Sequence, residues 1–155
     1  MYIILMRHGD AEPESEAVSN RNRALTAKGI RNAGRTAHVL RHFLKENDLR
    51  ILASPYKRTR ETAAIVCEIC GGAVETADDL LQNSWTPLAA HCITDGSPLL
   101  LVSHHPFLQS WLMTVAGAAI QFEPAAAAVI DYDLRWRQGK LVGYFSPAIR
   151  KLKKK

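Results

Sequence analysis

The sequence predicts an α/β fold: a three-layer α/β/α sandwich around a mostly parallel central sheet. Three observations predict it. Short apolar runs occur at Tyr2–Met6, Leu49–Ala53 and Leu99–Val102, and such runs read as strands buried on both faces. Stretches with helical spacing of apolar residues separate them, which implies parallel strands joined by helical crossovers. Each run also stops at a charged or histidine-bearing turn: Arg7-His8-Gly9-Asp10, Ser54-Pro55-Tyr56-Lys57-Arg58 and Ser103-His104-His105-Pro106. Parallel sheets bind ligands beyond the carboxyl ends of their strands, so Arg7, His8, Arg58 and His104 are expected at one edge.

The elements follow in chain order. After the first strand, Gly9 lets the backbone turn sharply and approach a ligand closely. Ala11 to Arg23 is polar and acidic with Pro13 and Ser15, and reads as a loop. Thr26 is placed as a helix N-cap. From Ala27 to about Asn47, Ile30, Ala33, Ala37, Leu40 and Leu44 recur at helical spacing, with Arg31, Arg35, Arg41 and Lys45 on other faces. His38 and His42 lie four apart on this helix, a metal-binding geometry, but no third ligand accompanies them and they read as helix surface. A helix from about Tyr56 to Cys70 should turn Thr62, Ile65, Val66 and Ile69 inward and stop at Gly71-Gly72. Ala73-Val74-Glu75 reads as a strand, Asp78 to Leu88 as loop mixed with short helix, and Pro87 to Ile93 as helix, ahead of a turn at Asp95-Gly96. Phe107 to Ala116 is helical. Ala126–Leu134 and Lys140–Phe145 read as two strands joined by a turn at Gln138-Gly139.

At 155 residues the chain should form one domain, over residues 1–149, followed by a basic tail at 150–155. The net charge of +5 is concentrated in that tail, where Arg150, Lys151, Lys153, Lys154 and Lys155 carry five of the twenty basic charges. The remaining fifteen balance fifteen acidic residues, and a neutral body argues against a nucleic-acid-binding face. The tail reads as a solvated end. No apolar segment approaches a membrane span, and Arg7 and His8 interrupt the N-terminal run too early for a signal peptide. A cytoplasmic location with no membrane partner is therefore expected. Three cysteines, Cys67, Cys70 and Cys92, do not suit a disulfide framework. Cys67 and Cys70 have CxxC spacing inside a helical pattern, without the second ligand pair that zinc requires.

Arg7-His8-Gly9 taken alone is equally compatible with a solvated strand end; the convergence of three strand ends carries the chemistry. Two Arg and two His around one point form a cationic pocket. A guanidinium fork matches phosphate oxygens, fixed donors stabilise the charge of a transferring phosphoryl group, and a histidine can serve as nucleophile. No Walker loop and no GxSxG elbow is present, which argues against P-loop nucleotide chemistry and a serine hydrolase.

Arg7-His8-Gly9 after the first strand, Ser54-Pro55 with Arg58 and Thr62, and Ser103-His104 after a later strand together resemble the histidine phosphatase (phosphoglycerate mutase-like) superfamily. The short length, the run Met6 to Ala11, Arg23-Ala24-Leu25-Thr26 with Gly29, and His104 with Pro106 resemble the SixA-type phosphohistidine phosphatases in particular. The resemblance implies that His8 is the phosphorylated nucleophile, that Arg7 and Arg58 bind the phosphoryl oxygens and that His104 completes the pocket. Arg23 would reach in from the loop, and His105 would be structural. Larger members use a Glu after the second helix as proton donor; here Asp78 and Asp79 lie near that position, and Asp79 is the candidate acid. No cofactor and no metal are implied. The expected partner is a phosphorylated protein, such as a histidine phosphotransfer domain of a signalling pathway. A phosphatase of small phosphomonoesters and a non-catalytic phosphate-binding module are the alternatives; a mutase has little chain left for a second phosphate. Only 36 residues separate Thr62 from Leu99, too few for a helix, a strand and an extended lid.

Overall fold

The computed structural model describes residues 1–44 and 49–148. The predicted helix end at Asn47, the position of Lys45 and the tail from Arg150 to Lys155 fall outside the described residues. Six strands form one sheet: β1 (Tyr2–Arg7), β2 (Arg50–Ala53), β3 (Ala73–Thr76), β4 (Leu99–Ser103), β5 (Ala127–Asp133) and β6 (Gln138–Phe145). Their order across the sheet is β3-β2-β4-β1-β5-β6. The pairs from β3 through β1 are parallel, and β5 and β6 add antiparallel at the far edge. Among the described residues four α-helices accompany them: α1 (Ala27–Leu44), α2 (Lys57–Cys70), α3 (Trp85–Cys92) and α4 (Phe107–Ala116). Short 3-10 turns occupy Asn20–Asn22 and Asp78–Leu81.

The apolar runs belong to strands covered on both faces. Along β1, Ile4 and Met6 join Ile51, Leu100 and Val102 under α1 and α2, whereas Ile3 and Leu5 join Leu52, Leu99 and Leu101 under α3 and α4. Side chains alternate between faces, so a strand with two buried faces has no polar positions. The sandwich predicted from sequence is the fold observed. Among the described residues no helix is long and apolar enough to cross a membrane.

Thr26 caps α1 as expected, its hydroxyl accepting from the Gly29 amide at 3.0 Å. Ile30 departs from the predicted inward face and is 52% exposed. The buried stripe of α1 runs through Gly29, Asn32, Ala33, Thr36, Ala37, Leu40 and Leu44 instead, because the first turn meets the backbone of the Gly9-Asp10 loop and has room there only for a glycine. In α2, Thr62, Ala63 and Val66 are buried, while Ile65 and Ile69 are only partly covered. Helix α3 begins two residues before Pro87; a first-turn proline removes an N–H that has no partner within the helix. The hairpin turn lies at 134–137, and Gln138-Gly139 is already in β6, paired with Asp133 and Tyr132. Gly139 is needed for space, since a Cβ there would stand 2.4 Å from Ile130 Cγ2.

Register fixes the functional edge. Arg7 aligns with Ser103 and Ala53 with Val102. The ladder continues one residue further, with the His8 amide donating to the Ser103 carbonyl at 3.2 Å and the Ser54 amide to the Val102 carbonyl at 3.1 Å. The residues just past β1, β2 and β4 therefore stand side by side.

Candidate active site

Four side chains meet at that edge. His8 follows β1, Arg58 lies in the first turn of α2, His104 follows β4, and Arg7 is the last residue of β1. His8, Arg58 and His104 are 8%, 5% and 7% exposed. The centroids of the two imidazoles are 5.2 Å apart.

The tautomer of His8 is set by its neighbours. Nδ1 lies 2.7 Å from the Gly9 carbonyl oxygen, which can only accept, so Nδ1 carries the proton. Nε2 then presents its lone pair to Arg58 Nε, which donates at 3.2 Å. The loop carrying His8 is clamped from two sides. The Gly9 amide donates to Thr62 Oγ1 at 3.1 Å, and that hydroxyl donates to the Arg58 carbonyl at 2.7 Å. On the other side, a Cβ on Gly9 would meet the Gly29 carbonyl oxygen at 2.8 Å, and one on Gly29 the Asp10 carbonyl oxygen at 2.0 Å. Two glycines thus allow the loop and the first turn of α1 to touch backbone to backbone. Asp10 Oδ2 accepts from Thr26 Oγ1 at 2.8 Å and joins the same contact.

Arg58 spans the pocket. Beyond His8, its Nη1 donates to the Asn20 carbonyl at 2.7 Å and its Nη2 to His104 Nδ1 at 3.4 Å. The guanidinium carbon lies 4.8 Å from the centroid of the Tyr56 ring, a cation–π contact that holds the fork in place. Arg7 Nη1 donates to the Phe122 carbonyl at 2.8 Å, while its Nε is buried without a partner. Among the described residues neither Arg7 nor Arg58 forms an ion pair with a carboxylate; Glu123 and Asp10 act on Arg7 only from a distance. Burial lowers the pKa of both guanidinium groups. The site therefore concentrates unneutralised positive charge and an orphan donor, an arrangement suited to an anion.

The same environment keeps both histidines neutral. Burial pushes His8 down to about 3, with His104, Arg58 and Arg7 adding repulsion against the Gly9 carbonyl's opposing pull. Burial, then Arg58, Arg7 and His105, push His104 down to about 4. A neutral His8 with an unprotonated Nε2, once Arg58 turns its donor to a phosphoryl oxygen, is equipped to attack an electrophilic phosphorus.

The other expected residues fall elsewhere. Arg23 stands beside the pocket on the loop, where its Nε donates to the Glu12 carbonyl at 2.6 Å and its Nη1 to Asn20 Oδ1 at 3.2 Å. Its charge lowers the Arg58 pKa, but it hydrogen-bonds neither histidine. His105 is exposed, so it is not a packed strand-end residue. Asp79 is not brought to the cluster: its carboxylate pairs with His91 Nδ1 of α3 at 2.8 Å, and Asp78 is exposed. Among the described residues no group of three or more His, Cys, Asp or Glu is placed to hold a metal. Sequence reasoning passed over Tyr56, Thr59 and the Asn20 carbonyl. Thr59 follows Arg58 directly and Tyr56 lies two residues before it, so nearness in the chain was an available signal; a backbone carbonyl leaves none.

A family model, that of the histidine phosphatase superfamily (branch 1), matches residues 3–88. Solved structures match along nearly the whole chain. The protein histidine phosphatase SixA complexed with tungstate is 24% identical with a TM-score of 0.81, over 95% of this chain and 97% of that one. A Nakamurella multipartitia protein assigned as a SixA phosphohistidine phosphatase is 25% identical with a TM-score of 0.77, over 96% of each chain. An Escherichia coli protein assigned as an alpha-ribazole-5'-P phosphatase is 20% identical with a TM-score of 0.72, over 97% of this chain and 99% of that one. A search of curated protein sequences found no match.

Proposed function

The chain belongs to the histidine phosphatase superfamily, branch 1, and from that premise we propose that it removes phosphoryl groups from phosphohistidine on other proteins, by way of a covalent intermediate on His8. The observation that carries this reading is the His8 tautomer, with Nδ1–H bound to the Gly9 carbonyl and Nε2 unprotonated, its lone pair held by Arg58 Nε, a donor that the phosphoryl group would take over. Nε2 attacks the phosphorus while the bond from phosphorus to the substrate imidazole breaks, and the departing imidazole takes a proton from solvent. Water then attacks the phospho-His8, that N–P bond breaks, and inorganic phosphate leaves. Arg7 and Arg58 bind the equatorial oxygens, and His104 adds a third donor once it gains a proton with the anionic substrate. Arg23 lends positive charge at the rim.

The leaving group decides the substrate class. An alkyl phosphate expels an alkoxide and benefits from a positioned acid. Imidazole can carry a proton near neutral pH, so it needs less help. Among the described residues no carboxylate hydrogen-bonds His8, Arg58 or His104, and Asp79 is occupied by His91. The 77–98 stretch is spent on a 3-10 turn and on α3, which packs Trp85, Leu88 and Cys92 against the sheet, and this supports a pocket open to a side chain on a folded partner. A soluble histidine phosphotransfer domain in the cytoplasm is the partner of this reading. The likeness to a protein assigned as an alpha-ribazole-5'-P phosphatase supports a second reading, a small phosphomonoester as substrate.

Rates on a phosphohistidine protein, a phosphoserine peptide, sugar phosphates and an aryl phosphate separate these readings. The first should exceed the second and third by about 10² or more, a modest share of what acid catalysis contributes. Asp79→Asn should leave it nearly unchanged. Rapid quench should trap acid-labile phosphate on His8. Equal rates on sugar phosphates, or a dead Asp79→Asn variant, would favour the phosphomonoester; no turnover of any substrate would leave a binding module.

A further inference from the structure

His104 is held from behind by two hydroxyls that the steps above do not use. Ser54 Oγ lies 2.7 Å from His104 Nε2 and 2.8 Å from Thr59 Oγ1. Thr59 Oγ1 in turn lies 2.8 Å from the carbonyl oxygens of both Ser54 and Tyr56. Ser54 and Thr59 have no exposed surface, so their protons must find acceptors inside the protein.

One obligatory donor fixes the direction of every bond. A guanidinium only donates, so Arg58 Nη2, at 3.4 Å, makes His104 Nδ1 an acceptor. The proton of the neutral ring is then on Nε2, and Nε2–H donates to Ser54 Oγ. The Ser54 proton goes to its other neighbour, Thr59 Oγ1, and the Thr59 proton to the two carbonyls. The chain runs one way and ends on backbone oxygens that can only accept.

We propose that Ser54, backed by Thr59, is a positioning residue that holds His104 in the Nε2–H tautomer and leaves Nδ1, engaged only by the long 3.4 Å contact from Arg58, as the ring nitrogen available to the transferred group. The proposal rests on the reading that His104 belongs to the phosphoryl pocket. With Nε2 already protonated, a proton that enters with an anionic substrate can settle only on Nδ1, between the ring and the phosphoryl oxygen. The imidazolium keeps its orientation, because Ser54 Oγ still accepts from Nε2–H. Without that acceptor the two tautomers compete and the ring loses its rear anchor, the kind of error that a histidine-orienting residue prevents.

Long-range ¹H–¹⁵N correlation spectra of the free protein read the tautomer directly, with His104 assigned by loss of its signals in His104→Gln. Wild type should show the Nε2–H pattern, and Ser54→Ala a mixture of both forms. With an aryl phosphate, kcat of Ser54→Ala should fall about 10-fold or more while KM changes little, a smaller loss than removal of a buried carboxylate orienter causes. Thr59→Ser keeps the hydroxyl and should keep the Nε2–H pattern. Ser54→Cys, of similar volume but a weak acceptor, replaces Ser54→Ala if the latter does not fold. An Nδ1–H pattern in wild type, an unmixed Nε2–H pattern in the folded Ser54 variant, or unchanged kcat there would overturn the proposal. Absence of turnover in wild type would overturn the functional reading instead, and the spectra would still decide the tautomer.

Discussion

Neutral rings in a buried cationic pocket carry a cost that pH exposes. His8 is pushed down to about 3 and His104 to about 4, whereas both titrate near 6.5 in an unfolded chain. Above that value neither state binds protons and no penalty exists. As pH falls below it, the unfolded chain takes up protons that the folded one refuses, so stability declines towards pH 4. The melting temperature should therefore fall between pH 7 and 4.5, and His8→Gln should flatten that slope; an unaltered slope would mean that His8 is not the buried neutral base described. Arg58 makes a second prediction at this scale. Its three nitrogens reach His8, Asn20 and His104 at once, and a lysine ammonium cannot reproduce that fork. Arg58→Lys and Arg58→Ala should both lower kcat/KM by about 10² or more, the loss expected for a preorganised donor to transition-state charge. Full activity in Arg58→Lys would show that no two oxygens are gripped. His8, Arg7, Arg58 and His104 could be grouped from the chain because Arg7 ends β1, His8 and His104 directly follow β1 and β4, and Arg58 opens the helix after β2, at one edge of the sheet. The Ser54–Thr59 chain was not, since it depends on rotamers and on which atom must donate.

At the scale of elements, the loop after β1 and the first turn of α1 are in direct backbone contact. Gly29→Ala should raise helix propensity by about 1 kcal/mol, yet its Cβ would sit 2.0 Å from the Asp10 carbonyl oxygen, and backbone cannot rotate aside. Overpacking of this kind costs about 1–3 kcal/mol and would displace Gly9, whose carbonyl sets the His8 tautomer. Gly29→Ala should therefore melt lower and lose kcat although it touches no reacting atom; a more stable, fully active variant would refute the contact. The contact also explains the misread face of α1. Periodicity put Ile30 inside with Ala33 and Ala37, and the loop's approach, invisible to a periodicity count, reserved that turn for Gly29. The hairpin failed for a related reason. Gly139 looked like a turn residue, but its place is set by Ile130 Cγ2 on the neighbouring strand, a tertiary demand. Most boundaries of β1, β4 and α4 were legible because burial on both faces leaves no ambiguity of pattern.

For the whole molecule, charge is supplied by arginines rather than by a carboxylate cage, and no described group of acidic or histidine ligands is placed to hold a cation. Turnover should persist in excess EDTA, and activity lost to the chelator and restored by added Mg²⁺ would contradict this. The sheet order has another consequence, for how the chain is made. Among the described strands β1 pairs with β4 and β5, Ile3 meeting Leu99 and Ile130, so this apolar segment is made well before either of its partners. At about 5–20 residues per second, roughly 5–20 s of synthesis separate Met6 from Leu99. During that interval Ile3 to Met6 are an open, strand-forming stretch, available to a chaperone or to a neighbouring nascent chain. A polypeptide stalled before Leu99 would carry His8 and Arg58 yet lack the strand that lies between β1 and β2, and the reacting centre would come into being only once β4 and His104 have been made.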